Sequence, residues 1–316
     1  MDPYKFLRIA RNPDGSLTRS TAVPLSPPSD ASVLCRDLPL NHARHTTLRL
    51  YLPRPFPPPA PKLPVVLYFH GGGFILFSAA SAPCHALCDH LAAALPAVVL
   101  SVDYRLAPEH RLPAAYEDAL DALLWLRSDA PADLRDCADL SRCFLMGSSA
   151  GGNIAFHAAL RATAEPLDPV RIAGLVLDQP YFGGVERTES EERMKDDKIV
   201  PLPANDLMWE LALPEGADRD HEYCNPKANE EKLLAGAGDL PRCLVRGHNG
   251  DPLIDRQREL ARMLERRGVR VVARIAPSGF HGIEVFDRSK EEELVEDVGR
   301  FINHEDGGAA AGLQRL

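Results

Sequence analysis

Residues 142–152 read Arg142-Cys143-Phe144-Leu145-Met146-Gly147-Ser148-Ser149-Ala150-Gly151-Gly152, an apolar run that stops on two serines enclosed by glycines. Cys143–Met146 is short, apolar and bounded by turn residues, as a strand buried on both faces should be. Beyond the glycines, Ile154–Leu160 follows a helical period. A G-x-S-x-G pentapeptide between strand and helix is a nucleophile elbow. The turn is so sharp that a Cβ at either flanking glycine would strike the neighbouring strand or helix. Ser149 occupies the central position, with its hydroxyl exposed at a helix N-terminus whose dipole favours developing negative charge. Ser148 matches it in chemistry but stands at the x position.

The same rhythm extends on both sides. Val65–Phe69, Ala97–Val102, Ile172–Leu177 and Cys243–Val245 are further short apolar runs, and Val269–Ile275 is another. Between them, Tyr116–Arg127 and Ile254–Arg267 carry apolar residues at helical spacing. Alternating strands and helices predict an α/β fold, a mostly parallel open sheet covered by helices on both faces. Thr47–Leu52 reads as one more strand. The proline-rich stretch Pro53–Pro64 after it reads as an exposed loop, on the argument that the strands flanking it need each other for a sheet. Asn12-Pro13-Asp14-Gly15 is a turn signal. Gly183–Glu230 breaks the rhythm: it is polar and charged, offers no buried strand, and has a helical stretch near Asp206–Leu211, so it reads as a cap over the sheet's edge. The Gly/Ala-rich tail, residues 305–316, is expected to be disordered.

Composition bounds the function. A chain of 316 residues buries a full-sized core without disulfide, metal or partner. Its net charge of −9, with no basic block, argues against nucleic acid and anionic membrane as partners. The longest nearly apolar run, Leu91–Val102, is interrupted by Pro96 and far shorter than the ~20 residues a membrane span needs. Seven cysteines with no C-x-x-C pair, behind an N-terminus that leads into no apolar segment, point to reduced thiols in the cytoplasm, with the nucleus left open. Cys84 and Cys88 share a helix face at i, i+4, and packing is preferred to zinc because no further ligand is evident. No metal and no organic cofactor is expected, and the default assembly is a monomer or weak homodimer.

The second chemical signal is His70-Gly71-Gly72-Gly73-Phe74, directly after the run Val65–Phe69. Acyl transfer creates a tetrahedral oxyanion, which needs preorganised donors. A glycine run lets backbone N–H groups approach it unobstructed, so the oxyanion hole is assigned to Gly71, Gly72 and Gly73, the last two foremost, with the N–H of Ala150. A nucleophilic serine also needs a base and an acid to orient that base, in the order Ser, Asp or Glu, His. His281 lies in the tight loop Pro277–Gly282 after an apolar run and is preferred as base. His248, after Cys243–Val245, is second. Asp251 in Gly250-Asp251-Pro252-Leu253-Ile254-Asp255 is the preferred acid and Asp255 the alternative. Asp251-Pro252 also has the pattern of a helix start, and one residue can serve both purposes.

Together, His70–Gly73, Ser101-Val102-Asp103-Tyr104-Arg105-Leu106-Ala107-Pro108-Glu109, Pro113-Ala114-Ala115-Tyr116, Gly147–Gly152 and Gly250–Asp255 resemble the hormone-sensitive-lipase-like group, and within it the plant carboxylesterases. The resemblance runs from about Leu38 to Phe301. It implies a single α/β-hydrolase domain whose cap comes from the N-terminal segment (residues 1–32) and the insertion (residues 183–230). It also implies a triad of Ser149, Asp251 and His281, and a merely structural role for Asp103–Glu109. The expected activity is hydrolysis of small carboxylic esters through an acyl-enzyme. Two other uses of the pocket stay open, a non-catalytic hormone-like receptor and a dehydratase or cyclase. The gibberellin receptors of this group replace the catalytic histidine, whereas His281 is present here. One departure stands out: these esterases usually carry an acidic residue before the nucleophile, and this chain carries Ser148.

Overall fold

The structure, a computed structural model, describes residues 1–20, 23–54, 61–233 and 240–303. The chain opens with a short helix α1 (Pro3–Leu7) and a hairpin of β1 (Ile9–Arg11) and β2 (Leu17–Arg19), turning at Asn12–Gly15. There follow β3 (Val33–Asn41), β4 (Thr46–Pro53), β5 (Leu63–Phe69), α2 (Ala82–Ala94), β6 (Val98–Asp103), α3 (Ala114–Ser128), α4 (Ala132–Cys137), β7 (Ala138–Ser148) and α5 (Ala150–Ala162). The second half holds β8 (Ile172–Asp178), α6 (Glu189–Arg193), α7 (Leu202–Ala212), α8 (Glu230–Leu233), β9 (Cys243–His248), α9 (Ile254–Arg266), β10 (Val271–Ala276) and α10 (Arg288–Asn303).

Eight strands form one sheet in the order β3-β4-β6-β5-β7-β8-β9-β10. Every neighbouring pair from β6 to β10 is parallel, and β4 is antiparallel to both of its neighbours, so β4 alone runs against the rest. The central strands are β-branched and apolar because neither face is wetted. Alternation along them divides the core in two. Leu67, Leu100, Leu145, Leu177 and Val245 face α3, α5 and α9, whereas Val66, Val99, Phe144, Val176 and Leu244 face α2 and α10. Cys84 and Cys88 lie on the buried side of α2, where burial pushes both thiols up, Cys84 to about 12. Among the described residues, no helix is long and apolar enough to cross a membrane.

One reading of the sequence needs correction, and one strand was missed. The strands flanking the proline-rich stretch do not pair with each other: β4 pairs with β3 and β6, and β5 pairs with β6 and β7. Strand β6 lies between them, so the sheet closes without a direct bond across that loop, whose residues 55–60 lie outside those described. Strand β3 carried no signal because Pro39 interrupts it. It tolerates the proline as an edge strand with a register shift between Pro39 and Asn41. The expected tail at 305–316 also lies outside the described residues.

After β5 the chain places β6 on one side and β7 on the other. That reversal opens a crevice at the carboxyl end of β5, the place where open α/β sheets bind ligands. Leu67, at the middle of β5, is fully buried. Leu67→Ala should cost about 2–5 kcal/mol of unfolding free energy by urea denaturation; a loss below about 1 kcal/mol would mean the layers relax freely into the cavity.

Candidate active site

Strands β5 and β7 end in register, with Phe69 opposite Gly147. Ser149 therefore emerges directly beside the glycine loop that follows β5. Its backbone is in a strained region, φ 55° and ψ −119°, which lifts the side chain off the sheet as α5 begins. The strain is enforced by contact: a Cβ on Gly151 would fall 1.8 Å from the Phe69 carbonyl oxygen, and one on Gly147 would fall 2.1 Å from the Gly151 carbonyl. No other residue type fits at either place.

Three of the expected side chains meet here. Ser149 Oγ lies 2.8 Å from His281 Nε2, and His281 Nδ1 lies 2.8 Å from Asp251 Oδ2. The partners fix the tautomer: Nδ1–H donates to the carboxylate, and Nε2 is left to accept from the serine. Burial pushes the His281 pKa down, but attraction and hydrogen bonding to Asp251, with help from Asp178 and Glu284, outweigh it and hold the pKa above the ordinary value. Asp251 is fully buried, and its oxygens are shared out. Oδ2 also accepts from Gln257 Nε2 at 2.7 Å, and Oδ1 accepts from the Leu253 N–H at 2.8 Å, fixing the turn into α9.

The alternatives sit elsewhere. His248 points away from Ser149, with Nδ1 donating to the Ser278 carbonyl at 3.0 Å and Nε2 to Glu284 at 2.9 Å. Asp255 accepts from the Ser190 N–H at 2.8 Å and so ties α6 to the start of α9. Ser148 turns its hydroxyl to Asp178, 3.1 Å away.

The glycine loop is anchored from behind. His70 is fully buried and stacked on Tyr104, with ring centroids 4.3 Å apart. Its Nδ1–H donates to the Gly71 carbonyl at 2.8 Å, while Tyr104 donates to the His70 carbonyl at 2.9 Å. Because peptides are planar and trans, pinning the Gly71 carbonyl turns the Gly72 N–H to the opposite side. Gly72, at φ +107°, has no room for a side chain: a Cβ would lie 2.4 Å from the Leu76 carbonyl oxygen. Among the described residues, the N–H groups of Gly72, Gly73 and Ala150 have no protein partner. Gly71 packs directly under Ser149.

A cavity of about 310 Å³ opens over Ser149. Leu7 of α1 and Met208 of α7 reach it from the two segments expected to form the cap, and these helices touch each other. Apart from the buried Glu191, the charged residues of the insertion are exposed or half-buried, while its contribution to the cavity wall is apolar: Ile199, Val200 and Met208. Sequence reading missed the anchors of these segments. Arg19 forms a two-point pair with Glu109 (2.7 and 3.0 Å) and also donates to the carbonyls of Ile75 and Ala107, tying the N-terminal hairpin to the glycine loop. Glu191 of α6 pairs with Arg256 of α9 at 3.2 Å on both oxygens, and both side chains are buried.

The larger omission is a buried polar row. Ser148, Asp178 and Arg246 occupy matched positions on β7, β8 and β9 and point to one side. Arg246 contacts Asp178 at 2.8 Å, Glu284 at 3.3 Å and Asp297 at 3.0 Å. Burial and repulsion from Glu284 push Asp178 up to about 6, against the pull of Arg246. Burial also pushes Glu284 up, but His248 and Arg246 outweigh it and hold it below the ordinary carboxylate range. The available signal was position: Asp178-Gln179 follows a strand that ends at the crevice. Gly151→Ala should destabilise the fold by at least about 1–3 kcal/mol in thermal or urea unfolding, because the Cβ has backbone on its only open side. A wild-type melting curve would refute that packing.

Comparison with known proteins places the chain. Residues 66–285 match a family model described as the alpha/beta hydrolase fold. A probable carboxylesterase of Arabidopsis thaliana is 51% identical over 311 residues, covering 95% of this chain and 93% of that protein. A 3-O-acetylpapaveroxine carboxylesterase of Papaver somniferum is 46% identical, covering 95% and 97%. Among solved structures, an esterase of Pyrobaculum calidifontis superposes with a TM-score of 0.73 at 31% identity, covering 85% of this chain and 84% of that one. The chain belongs to the alpha/beta hydrolase family, in its plant carboxylesterase group.

Proposed function

We propose that this carboxylic ester hydrolase acts on small carboxylic esters through Ser149, His281 and Asp251, by way of an acyl-enzyme. The observation that carries this reading is the unbroken hydrogen-bonded line from Ser149 Oγ through His281 to Asp251, each step 2.8 Å, beneath a cavity with free backbone donors. Ser149 attacks the ester carbonyl carbon as its proton passes to His281 Nε2. Asp251 keeps the imidazole in the required tautomer and steadies the imidazolium. The carbonyl oxygen becomes an oxyanion held by the N–H groups of Gly72, Gly73 and Ala150, with Gly71 supporting the floor beneath Ser149. Collapse of the tetrahedral species breaks the ester C–O bond, and His281 returns the proton to the departing alkoxide. A water molecule, deprotonated by His281, then attacks the acyl carbon; collapse releases the carboxylic acid and restores Ser149.

The substrate class follows from the walls. Apart from the reacting groups, the cavity is lined chiefly by aliphatic and aromatic side chains, among them Leu76, Phe77, Leu87, Ile199 and Met208. Its volume suits a small ester with an apolar acyl or alcohol part.

The direct test is hydrolysis of p-nitrophenyl acetate, butyrate and octanoate. Ser149→Ala should lower kcat by about 10⁴–10⁶, and Asp251→Asn by about 10⁴. An inert wild-type protein on all three esters would overturn the reading. The pH dependence has a definite sign. His281 must be neutral to accept the serine proton, and its pKa is raised above 6.5, so kcat/KM should fall as pH drops and be half lost above 6.5. A profile flat through that range would rule out His281 as the base.

A further inference from the structure

His281 lies on a backbone with little local support. Gly279 and Gly282 bracket it at φ +124° and +73°, and only a single 3₁₀ turn, Ile283–Val285, follows. Its position must therefore come from tertiary bonds, and those bonds converge on a few buried side chains. His248 spans the loop, bonding the Ser278 carbonyl three residues before His281 and Glu284 three residues after it. Gln179 makes a second bridge. Its Oε1 accepts from the Gly282 N–H at 2.8 Å, and its Nε2 donates to Glu284 Oε2. The amide can sit only this way round, because the N–H only donates and the carboxylate only accepts.

Gln179 occupies this place against its backbone preference. It is a non-glycine residue at φ +46°, it precedes Pro180, and it is 2% exposed. Its own N–H is fixed by the Arg246 carbonyl at 2.9 Å. A strained, buried amide whose side-chain hydrogen bonds go to Glu284 and to the residue after the triad's histidine, and to no triad member, has the features of a positioning device.

We propose that Gln179 and Glu284 form a clip that sets the His281 imidazole against Ser149, making both of them positioning residues for ester hydrolysis. The inference rests on the esterase reading above. The chemistry supplies a specific test, because the two side chains are complementary and can be exchanged. Gln179→Glu sets two carboxylates against each other. Glu284→Gln sets its amide hydrogens against either the Gln179 amide hydrogens or the Arg246 guanidinium, both of which only donate. In the Gln179→Glu, Glu284→Gln double variant every partner is matched again: the new carboxylate accepts from Gly282 and from the new amide, whose oxygen accepts from His248 and Arg246.

Each single variant should lower kcat on p-nitrophenyl butyrate by about 10- to 100-fold with KM little changed, the penalty expected for a reacting group displaced by about 1 Å. The double variant should recover most of that loss. The hydrogen-bonded Nδ1 proton of His281, identified in proton NMR by its absence from His281→Gln, should shift or broaden in the single variants and return in the double. Single variants with unchanged kcat and an unchanged proton signal overturn the clip, as do losses that simply add in the double variant. If the wild-type protein hydrolyses no ester, the esterase reading fails, and the proton signal alone then decides whether the clip positions His281.

Discussion

The close approach of Gly151 to the end of β5 is the constraint on which the rest of the site depends. With only 1.8 Å between a would-be Cβ and the Phe69 carbonyl oxygen, α5 can start in one place only, tight against the neighbouring strand. The turn then has to be made within Ser148–Ser149, and it is made in a strained conformation. Because β5 and β7 are in register, the same approach brings the glycine loop under the serine. The proposed nucleophile and oxyanion donors are thus positioned by backbone packing, which is stiffer than any side-chain contact and needs no rearrangement when charge develops.

The proposed acid and base are positioned differently. Asp251 and His281 come from loops after β9 and β10, toward the far edge of the sheet. Reach is set by the strands, but orientation is set by buried hydrogen bonds. Taking charges out of water is costly, and a charge left unpaired in the interior costs about 3–5 kcal/mol, so such groups occur in matched sets. Asp251 satisfies both oxygens, and the row from Ser148 through Asp178 to Arg246 and Glu284 is closed likewise. Ser148 acquires a reason in this setting: its hydroxyl donates to the buried Asp178, where an acidic residue would add a second negative charge beside it.

The same distinction between buried and exposed charge separates anchors from decoration in the segments over the cavity. Arg193–Glu189 is a solvent-facing pair on α6, of a kind worth at most about 1 kcal/mol. Glu191–Arg256 is buried, and losing either partner would strand the other. Arg19 does comparable service for the N-terminal hairpin by gripping the segment that also supports the glycine loop.

The sequence by itself determined what depends on short-range geometry. The alternation of strand and helix, the glycines of the elbow, the His70–Gly73 run and the loops that bring Asp251 and His281, rather than Asp255 and His248, to Ser149 were all legible, because each is a local pattern of residue types. Strand β3 was hidden by Pro39, whose meaning depends on lying at an edge. Arg19, Gln179, Arg246 and Glu284 were hidden for a different reason. Their partners are tens of residues away in the chain, and no spacing rule connects Ser148 to Asp178 or Gln179 to Gly282. Only the parallel register of β7, β8 and β9 and the path of the loop after β10 bring them together, because a buried polar group is specified by the donors and acceptors that surround it in space.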